Sequence, residues 1–220
     1  MRFIVVTALA IILSLQAPAA EIITSAVGQV ADHVVTSREV LMSNIYERWR
    51  VASQSVDAAG KLPRSDWRPS LSSDVFRQAT SSLLLEHTVA KEAESFSVAQ
   101  VERDSIRKNT KDFLAAVANF SEWKKLEASE SETEKMIGRK MRAQSFLKFK
   151  TESAGVIVTE EDAKAYYEKN RMKFGNMPFS QFKDSIKEVL TKQILEDRLK
   201  EWFEVLRRKY RVRNLGQLDS

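Results

Sequence analysis

Two histidines and many carboxylates are the residues of this sequence that could carry acid–base or metal chemistry. His33 and His87 lie far apart in the chain, and no His-x-His or His-Glu-x-x-His pattern occurs. The spacing therefore predicts no zinc site. We expect His33 in a turn and His87 on a helix surface or partly buried. Acidic pairs such as Glu160-Glu161 and Glu196-Asp197 fall at predicted helix caps and on solvated helix faces.

The residues that covalent catalysis or phosphate binding would need are equally scarce. The chain contains no cysteine, which excludes a thiol nucleophile. It has no Gly-x-Ser-x-Gly elbow, and Gly60-Lys61 lacks the remainder of a phosphate-binding loop. We therefore predict that the protein is not an enzyme and has no catalytic residues, no metal and no cofactor.

Aromatic and basic side chains offer a different kind of candidate site. Most aromatic residues are expected in the core, but Phe113, Phe120 and Trp123 are candidates for an exposed groove that binds client polypeptides. Trp123 precedes Lys124-Lys125 and fits a core least well. A basic cluster near the C-terminus suits the negative end of a helix dipole, or alternatively an anionic lipid or acidic partner: Arg207, Arg208, Lys209, Arg211 and Arg213.

The composition favours a mostly α fold. The 220 residues are 43% hydrophobic and 30% charged, with six glycines and four prolines. So few turn-forming residues favour long helices over a sandwich of many strands. A formal net charge of +5, with 30 acidic residues, is too dilute to predict nucleic-acid binding.

The first twenty residues resemble an export signal. Arg2 precedes an apolar run at residues 3–15, which is shorter than the ~20 residues that cross a bilayer. Small residues follow, and we predict cleavage after Ala19 or Ala20. An uncleaved anchor is the alternative, and the absence of cysteine excludes a lipid-anchored lipoprotein. We therefore expect the protein to be exported to the periplasm.

The mature chain predicts two short strands within residues 21–35 and a helix capped by Thr36 or Ser37. A loop is expected over residues 52–72, and a long helix follows from Ser73 to about Ser95. The Ser97-Val98-Ala99-Gln100 pattern predicts a capping box and a short helix to about Asn109. A separate helix is expected to contain Phe113, Leu114, Val117 and Phe120.

The C-terminal half predicts three more helices and a strand. They are a long helix over residues 130–150, a helix capped by Thr159 that runs to about Phe174, and an amphipathic helix within residues 179–206. The alternating Tyr210-Arg211-Val212-Arg213 segment predicts a terminal strand.

The mature chain resembles periplasmic chaperones of the SurA type over essentially its whole length, and three segments carry the likeness. Residues 26–40 (AVGQVADHVVTSREV) are similar to the hairpin and first helix of that family. Residues 158–174 (VTEEDAKAYYEKNRMKF) resemble the helix before its parvulin domain, and residues 179–212 resemble the helix and strand after it. Where the family carries the prolyl isomerase, this sequence has Gly175-Asn176-Met177-Pro178.

The resemblance implies a multi-helix SurA-like chaperone core with a small sheet formed by the N- and C-terminal strands. One domain is expected over residues 21–216, in which residues 21–174 are completed by residues 179–214, with a tail at 217–220. The implied function is an ATP-independent holdase for unfolded envelope proteins, especially outer-membrane precursors, without isomerase activity. The alternative is a structural or adaptor protein with one specific partner. Exchange of terminal elements would allow a homodimer.

Overall fold

The computed structural model describes residues 24–54, 72–96 and 100–215. These residues form eight α-helices and three short β-strands, which confirms the mostly α fold with a small sheet. The predicted signal peptide and its cleavage site at Ala19 or Ala20 lie outside the described residues.

The sheet joins the two ends of the described chain. Strands β1 (Ala26–Val30) and β2 (His33–Thr36) form an antiparallel hairpin, and β3 (Arg213–Asn214) pairs antiparallel with the other edge of β1. The strand predicted at residues 210–213 therefore lies later in the chain. The shift arises because the last long helix continues to Lys209, and Arg211 then adopts a positive φ of 50° to turn the chain toward β1.

The first five helices occupy the N-terminal two thirds of the chain. They are α1 (Ser37–Gln54), α2 (Asp74–Glu94), α3 (Arg103–Val117), α4 (Ser121–Lys124) and α5 (Glu130–Glu152). The prediction of two separate helices between Ser97 and Phe120 is wrong, because α3 is one continuous helix from Arg103 to Val117. The proposed cap at Ser97 lies outside the described residues. Residues 55–71 of the predicted loop lie outside them as well.

The remaining elements are α6 (Glu160–Lys169), α7 (Arg171–Phe174), a 3-10 turn (Phe179–Gln181) and α8 (Lys183–Lys209). The helix expected to reach Phe174 is interrupted at Asn170, whose Nδ2 donates to the Tyr166 carbonyl at 2.9 Å. Gly175 then adopts a positive φ of 58°, which suits glycine and ends α7.

Local capping explains where several helices begin. Thr36 Oγ1 accepts from Glu39 N at 3.2 Å at the start of α1, and Ser73 Oγ accepts from Phe76 N at 3.2 Å at the start of α2. Thr159 and Asp162 form a reciprocal capping box at α6, as do Ser129 and Glu132 at α5. The predicted caps at Thr36 and Thr159 are confirmed, and the Ser73 cap explains the helix expected to begin there.

Three apolar clusters form the interior. The main core lies between the hairpin and helices α1 to α5, centred on residues such as Ile45, Leu83, Phe113 and Ile137. A second cluster joins α2 and α5 to Trp202 and Phe203 of α8. A third joins α6 to the start of α8 around Tyr167 and Ile186. Helix α8 therefore links the distal α6 segment to the main body and delivers β3 to the sheet.

A buried ion network fixes α5 against α1 and α2. The Lys140 side chain is 3% exposed, and its Nζ donates to Glu47 Oε1 at 2.9 Å and to Glu86 Oε2 at 2.5 Å. The neighbouring Arg139 donates from Nε to Glu86 Oε1 at 2.8 Å and from Nη1 to Glu39 Oε1 at 3.1 Å. The consecutive residues Arg139 and Lys140 of α5 therefore bind carboxylates of both α1 and α2.

Substitution of Gly28 tests the close approach of the sheet to α2. A Cβ at Gly28 would lie 2.6 Å from Leu84 Cδ2 and 3.0 Å from the Arg213 carbonyl oxygen. We expect Gly28→Ala to lower the free energy of unfolding by roughly 1–3 kcal/mol, because overpacking displaces β3 or α2. Urea unfolding measures the change.

Gly138→Ala is the matched control for Gly28→Ala. Its Cβ would meet the flexible end of Ile106 at 3.3 Å, and alanine favours a helix over glycine by about 1 kcal/mol. We expect Gly138→Ala to be close to neutral. Equal stability of Gly28→Ala and the unmodified protein would contradict the pairing of β1 with β3.

Substitution of Lys140 tests the ion network. Lys140→Met removes the cation that Glu47 and Glu86 share, and we expect a loss of about 3 kcal/mol in the free energy of unfolding. Lys148→Met, further along α5 at an exposed position, should change it by less than about 0.5 kcal/mol. Equal effects of the two substitutions in denaturant unfolding would refute a structural role for the network.

Candidate functional site

The three aromatic residues proposed for a client groove belong to the core. Phe113 is fully buried, Trp123 is 6% exposed, and Phe120 is partly buried against the same cluster. The Phe113 ring centroid lies 5.3 Å from that of Tyr46 and 4.9 Å from that of Trp123. The expectation of an exposed groove at these residues is therefore corrected, because the Phe113 and Trp123 rings pack against each other and Phe120 packs against the same core cluster.

The short helix α4 explains the burial of Trp123 beside two lysines. Its single turn directs Trp123 inward onto Phe113, while Lys124 and Lys125 remain exposed. Lys125 Nζ pairs with Glu122 Oε1 at 2.6 Å on the solvent side. The charge pattern alone could not reveal this orientation, because it depends on the contact with α3.

An apolar cleft of about 530 Å³ lies along α2 where α1, α5 and α8 approach it. Apolar side chains make up most of its surface, and the ion network of Glu47, Glu86 and Lys140 forms part of its wall. The apolar side chains that line it are Val75, Ala79, Leu83, Leu85, Val89, Ala143, Leu147 and Phe203.

A second cleft of about 510 Å³ lies between α2 and α8 and reaches the end of the sheet at Val212 and Asn214. Leu84, Leu85, Leu199 and Phe203 supply much of its apolar lining; its charged side chains are Glu196, Lys200, Glu204 and Arg207. Leu85 and Phe203 line both clefts, so the two are neighbours along one face of α2.

The paired clefts are suited to apolar ligands. Their volumes fall in the range of roughly 300–1,000 Å³ that is typical of ligand sites. Each has an apolar interior and charged groups of both signs at its walls. Such a surface can take up apolar side chains without selecting strongly for the charge of the chain that carries them. The helical pattern of α2 and α8 predicted amphipathic helices but not the gap between them.

His33, Glu39 and His87 come together at the hairpin, although sequence spacing separated them. The imidazole rings stack with centroids 4.4 Å apart. His33 Nε2 lies 3.1 Å from Glu39 Oε2, and His87 Nε2 lies 3.2 Å from Glu39 Oε1. His87 was expected on a helix, at its surface or partly buried; it lies on α2, but it is buried more deeply than expected. Its grouping with His33 and Glu39 had no signal in the sequence.

The surroundings of this histidine cluster (His33, Glu39 and His87) determine its protonation. Burial alone would raise the pKa of Glu39, but interactions with His87, Arg139 and His33 outweigh burial and lower that pKa to about 2. Burial is also the main influence on His87, and it lowers the pKa of that imidazole despite the attraction of Glu39. Folding therefore favours ionised Glu39 beside neutral His87.

Among the residues that the structure describes, the histidine cluster has donor atoms within 4.8 Å of one another, which is close enough to hold a metal ion. Two features disfavour this use. The Arg139 guanidinium donates from Nη1 to Glu39 Oε1 at 3.1 Å and places a positive charge at the site. The two imidazole rings are stacked nearly parallel, 20° apart, so one ion cannot lie in the planes of both rings, as in-plane ligation by both would require. The arrangement fits an internal ion pair better than a metal centre.

The basic cluster near the C-terminus lies where the helix dipole favours it. Arg207, Arg208 and Lys209 occupy the last turn of α8. Lys209 Nζ and Tyr210 Oη both contact Glu92 Oε2, at 2.6 and 2.5 Å, and so attach this end of α8 to α2. Contact of the cluster with anionic lipid stays a prediction.

None of the helices in the described residues combines the length and apolar character required to cross a membrane. Comparison with protein-family models, curated proteins and solved structures finds no match to this chain.

The lowered pKa of Glu39 predicts a specific loss of stability in acid. Because the folded pKa of about 2 lies below the usual 4.5, the ionised carboxylate stabilises the fold above pH 4.5. This contribution, on the order of 3 kcal/mol, disappears as the pH falls from 4.5 to about 2. Glu39→Gln should therefore show a correspondingly weaker pH dependence in urea unfolding.

Glu132 provides a comparison for Glu39. A hydrogen bond from Arg38 and further ones from Ser129 lower the pKa of Glu132 to about 2 as well, but this side chain is 46% exposed. Solvent screening should make Glu132→Gln change the pH dependence less than Glu39→Gln does. The assignment fails if Glu39→Gln follows the unmodified protein throughout the acid range.

Proposed function

We propose that the protein is an ATP-independent periplasmic holdase of the SurA type, without prolyl isomerase activity, that binds unfolded envelope proteins such as outer-membrane precursors. The observation that carries the proposal is the pair of adjoining apolar clefts along α2, which meet at Leu85 and Phe203. These clefts replace Phe113, Phe120 and Trp123 as the candidate client-binding surface.

The resemblance to SurA-type chaperones supports this proposal from a separate direction. Residues 26–40 form the hairpin and the start of α1, and residues 158–174 contain α6 and α7. Residues 179–212, the third segment of the resemblance, contain the 3-10 turn and α8. Only Gly175-Asn176-Met177-Pro178 lies between α7 and the 3-10 turn, where a parvulin domain would be inserted. A holdase needs many weak apolar contacts and rapid release, which open clefts of this kind can provide.

A structural or adaptor role with one specific partner is the second candidate. Several large apolar side chains are exposed in the segment of α6, α7 and the start of α8: Ile157, Met172, Met177 and Val189. Met172 is 98% exposed. A contiguous exposed apolar patch is typical of a contact with a defined partner, and the adaptor role requires these residues to form one.

Aggregation of an outer-membrane β-barrel protein diluted from urea tests the holdase. We expect the mature protein, at near-stoichiometric amounts and without nucleotide, to suppress light scattering. Leu199→Asp places a carboxylate in the α2–α8 cleft and should raise the amount required by roughly tenfold, because a bound apolar chain would desolvate the charge.

Val205→Asp is the matched control, since Val205 is on the same helix, 51% exposed and outside the linings of both clefts. It should suppress aggregation like the unmodified protein. Absence of suppression by the folded protein, together with capture of one saturable partner, would favour the adaptor. Catalytic acceleration of a proline-limited refolding reaction would contradict the absence of isomerase activity.

A further inference from the structure

A basic cavity of about 330 Å³ lies between the hairpin, α2 and α5, apart from the apolar clefts. Four of the side chains around it are cationic: Lys91, Lys135, Arg139 and Arg142. Its acidic side chains are Asp32 and Glu94, and Glu94 pairs with Lys91 at 3.1 Å. Four cationic side chains against two acidic ones make the lining positive, and the ionised Glu39 next to His33, His87 and Arg139 reduces this charge without reversing it.

Three polar atoms at this cavity lack hydrogen-bond partners. They are His87 Nε2, Arg139 Nη2 and Arg142 Nε, and among the described residues no other buried side-chain nitrogen or oxygen is left unpaired. All three residues line the same cavity. Buried polar groups are almost always hydrogen-bonded, so the two unused guanidinium donors, Arg139 Nη2 and Arg142 Nε, indicate a missing acceptor.

Neighbouring carboxylates hold the Arg139 guanidinium in place, whereas the Arg142 guanidinium has no such partner among the described residues. Arg139 uses Nε on Glu86 and Nη1 on Glu39, which leaves Nη2 as its unused nitrogen. Arg142 forms no ion pair with any described residue, although its Nε is buried. His87 Nε2 lies 3.2 Å from Glu39 Oε1, so the two guanidinium nitrogens are the stronger evidence for a missing acceptor. Ordered guanidinium groups need little rearrangement to bind an anion.

We propose that this cavity binds a tetrahedral oxyanion, a phosphate group that is either free or part of an anionic lipid headgroup. Arg139 Nη2 and Arg142 Nε would donate to its oxygens, with His87 as a third polar contact and Lys91 and Lys135 contributing positive charge. Guanidinium nitrogens match phosphate oxygens in geometry and charge. The proposal does not depend on chaperone activity.

Calorimetric titration with inorganic sulfate and phosphate at low ionic strength tests the site. We expect saturable binding that Arg142→Gln weakens by about tenfold or more, since charge-assisted hydrogen bonds are lost. Arg142→Lys keeps the charge but lacks Nε and should weaken binding by a smaller factor. Lys148→Gln removes the same charge from an exposed position on α5 and should leave binding nearly unchanged.

The two histidines give a second, local readout. Because the chain has only His33 and His87, their imidazole nitrogen resonances can be assigned by one substitution. Sulfate should shift the His87 signals in the unmodified protein and much less in a folded Arg142→Gln variant. Absence of saturable anion binding, or equal weakening by Arg142→Gln and Lys148→Gln, would overturn the proposal. So would Zn²⁺ binding that shifts both histidines while sulfate shifts neither.

Vesicles distinguish the two sources of phosphate. Binding to phosphatidylglycerol vesicles but not to phosphatidylcholine vesicles, reduced by Arg142→Gln and not by Lys148→Gln, would assign the site to a lipid headgroup. Saturable binding of inorganic phosphate with no Arg142-dependent vesicle binding would assign it to a soluble ligand. Both results support the oxyanion site.

Discussion

The contact of Lys140 and Arg139 with carboxylates from two other helices is the constraint on which the rest of this structure depends. Lys140 holds Glu47 of α1 and Glu86 of α2, and Arg139 holds Glu86 and Glu39. A buried cation is stable only when its partners surround it, so the network admits few relative positions of α1, α2 and α5. The same residues then define both candidate sites, because Lys140 and Glu86 line an apolar cleft and Arg139 lines the basic cavity.

Local sequence patterns predicted the elements that local interactions determine. The caps at Ser73 and Thr159 depend on residues three positions apart, and both helices begin where they were expected. The continuity of α3 was missed because its N-terminus, after Glu102, has no side-chain cap to mark it. The inward orientation of Trp123 was missed because the contact that determines it comes from Phe113 on another helix.

The features of the candidate sites could not be predicted in the same way. His33 and His87 stack only because the hairpin packs on α2, and no spacing rule anticipates that contact. The nitrogens of Arg139 and Arg142 are identified as unpaired only because no acceptor lies within hydrogen-bond distance of them. Their identification therefore depends on side-chain positions, which the sequence does not provide. Sequence composition indicated a chain poor in catalytic groups; it gave no indication of how those groups would be brought together.

Polar contacts at the end of α8 explain how an apolar cleft can remain open beside it. Glu92 binds both Lys209 and Tyr210, and β3 pairs with β1 immediately afterwards, so the C-terminal end of α8 is anchored by hydrogen bonds. Trp202 and Phe203 supply the apolar contact to α2 and α5. Because these attachments position the helix, Leu199 need not pack closely against Leu84 and Leu85 to hold it. The unfilled apolar surface between them is then available to a ligand without loss of the helix pair itself.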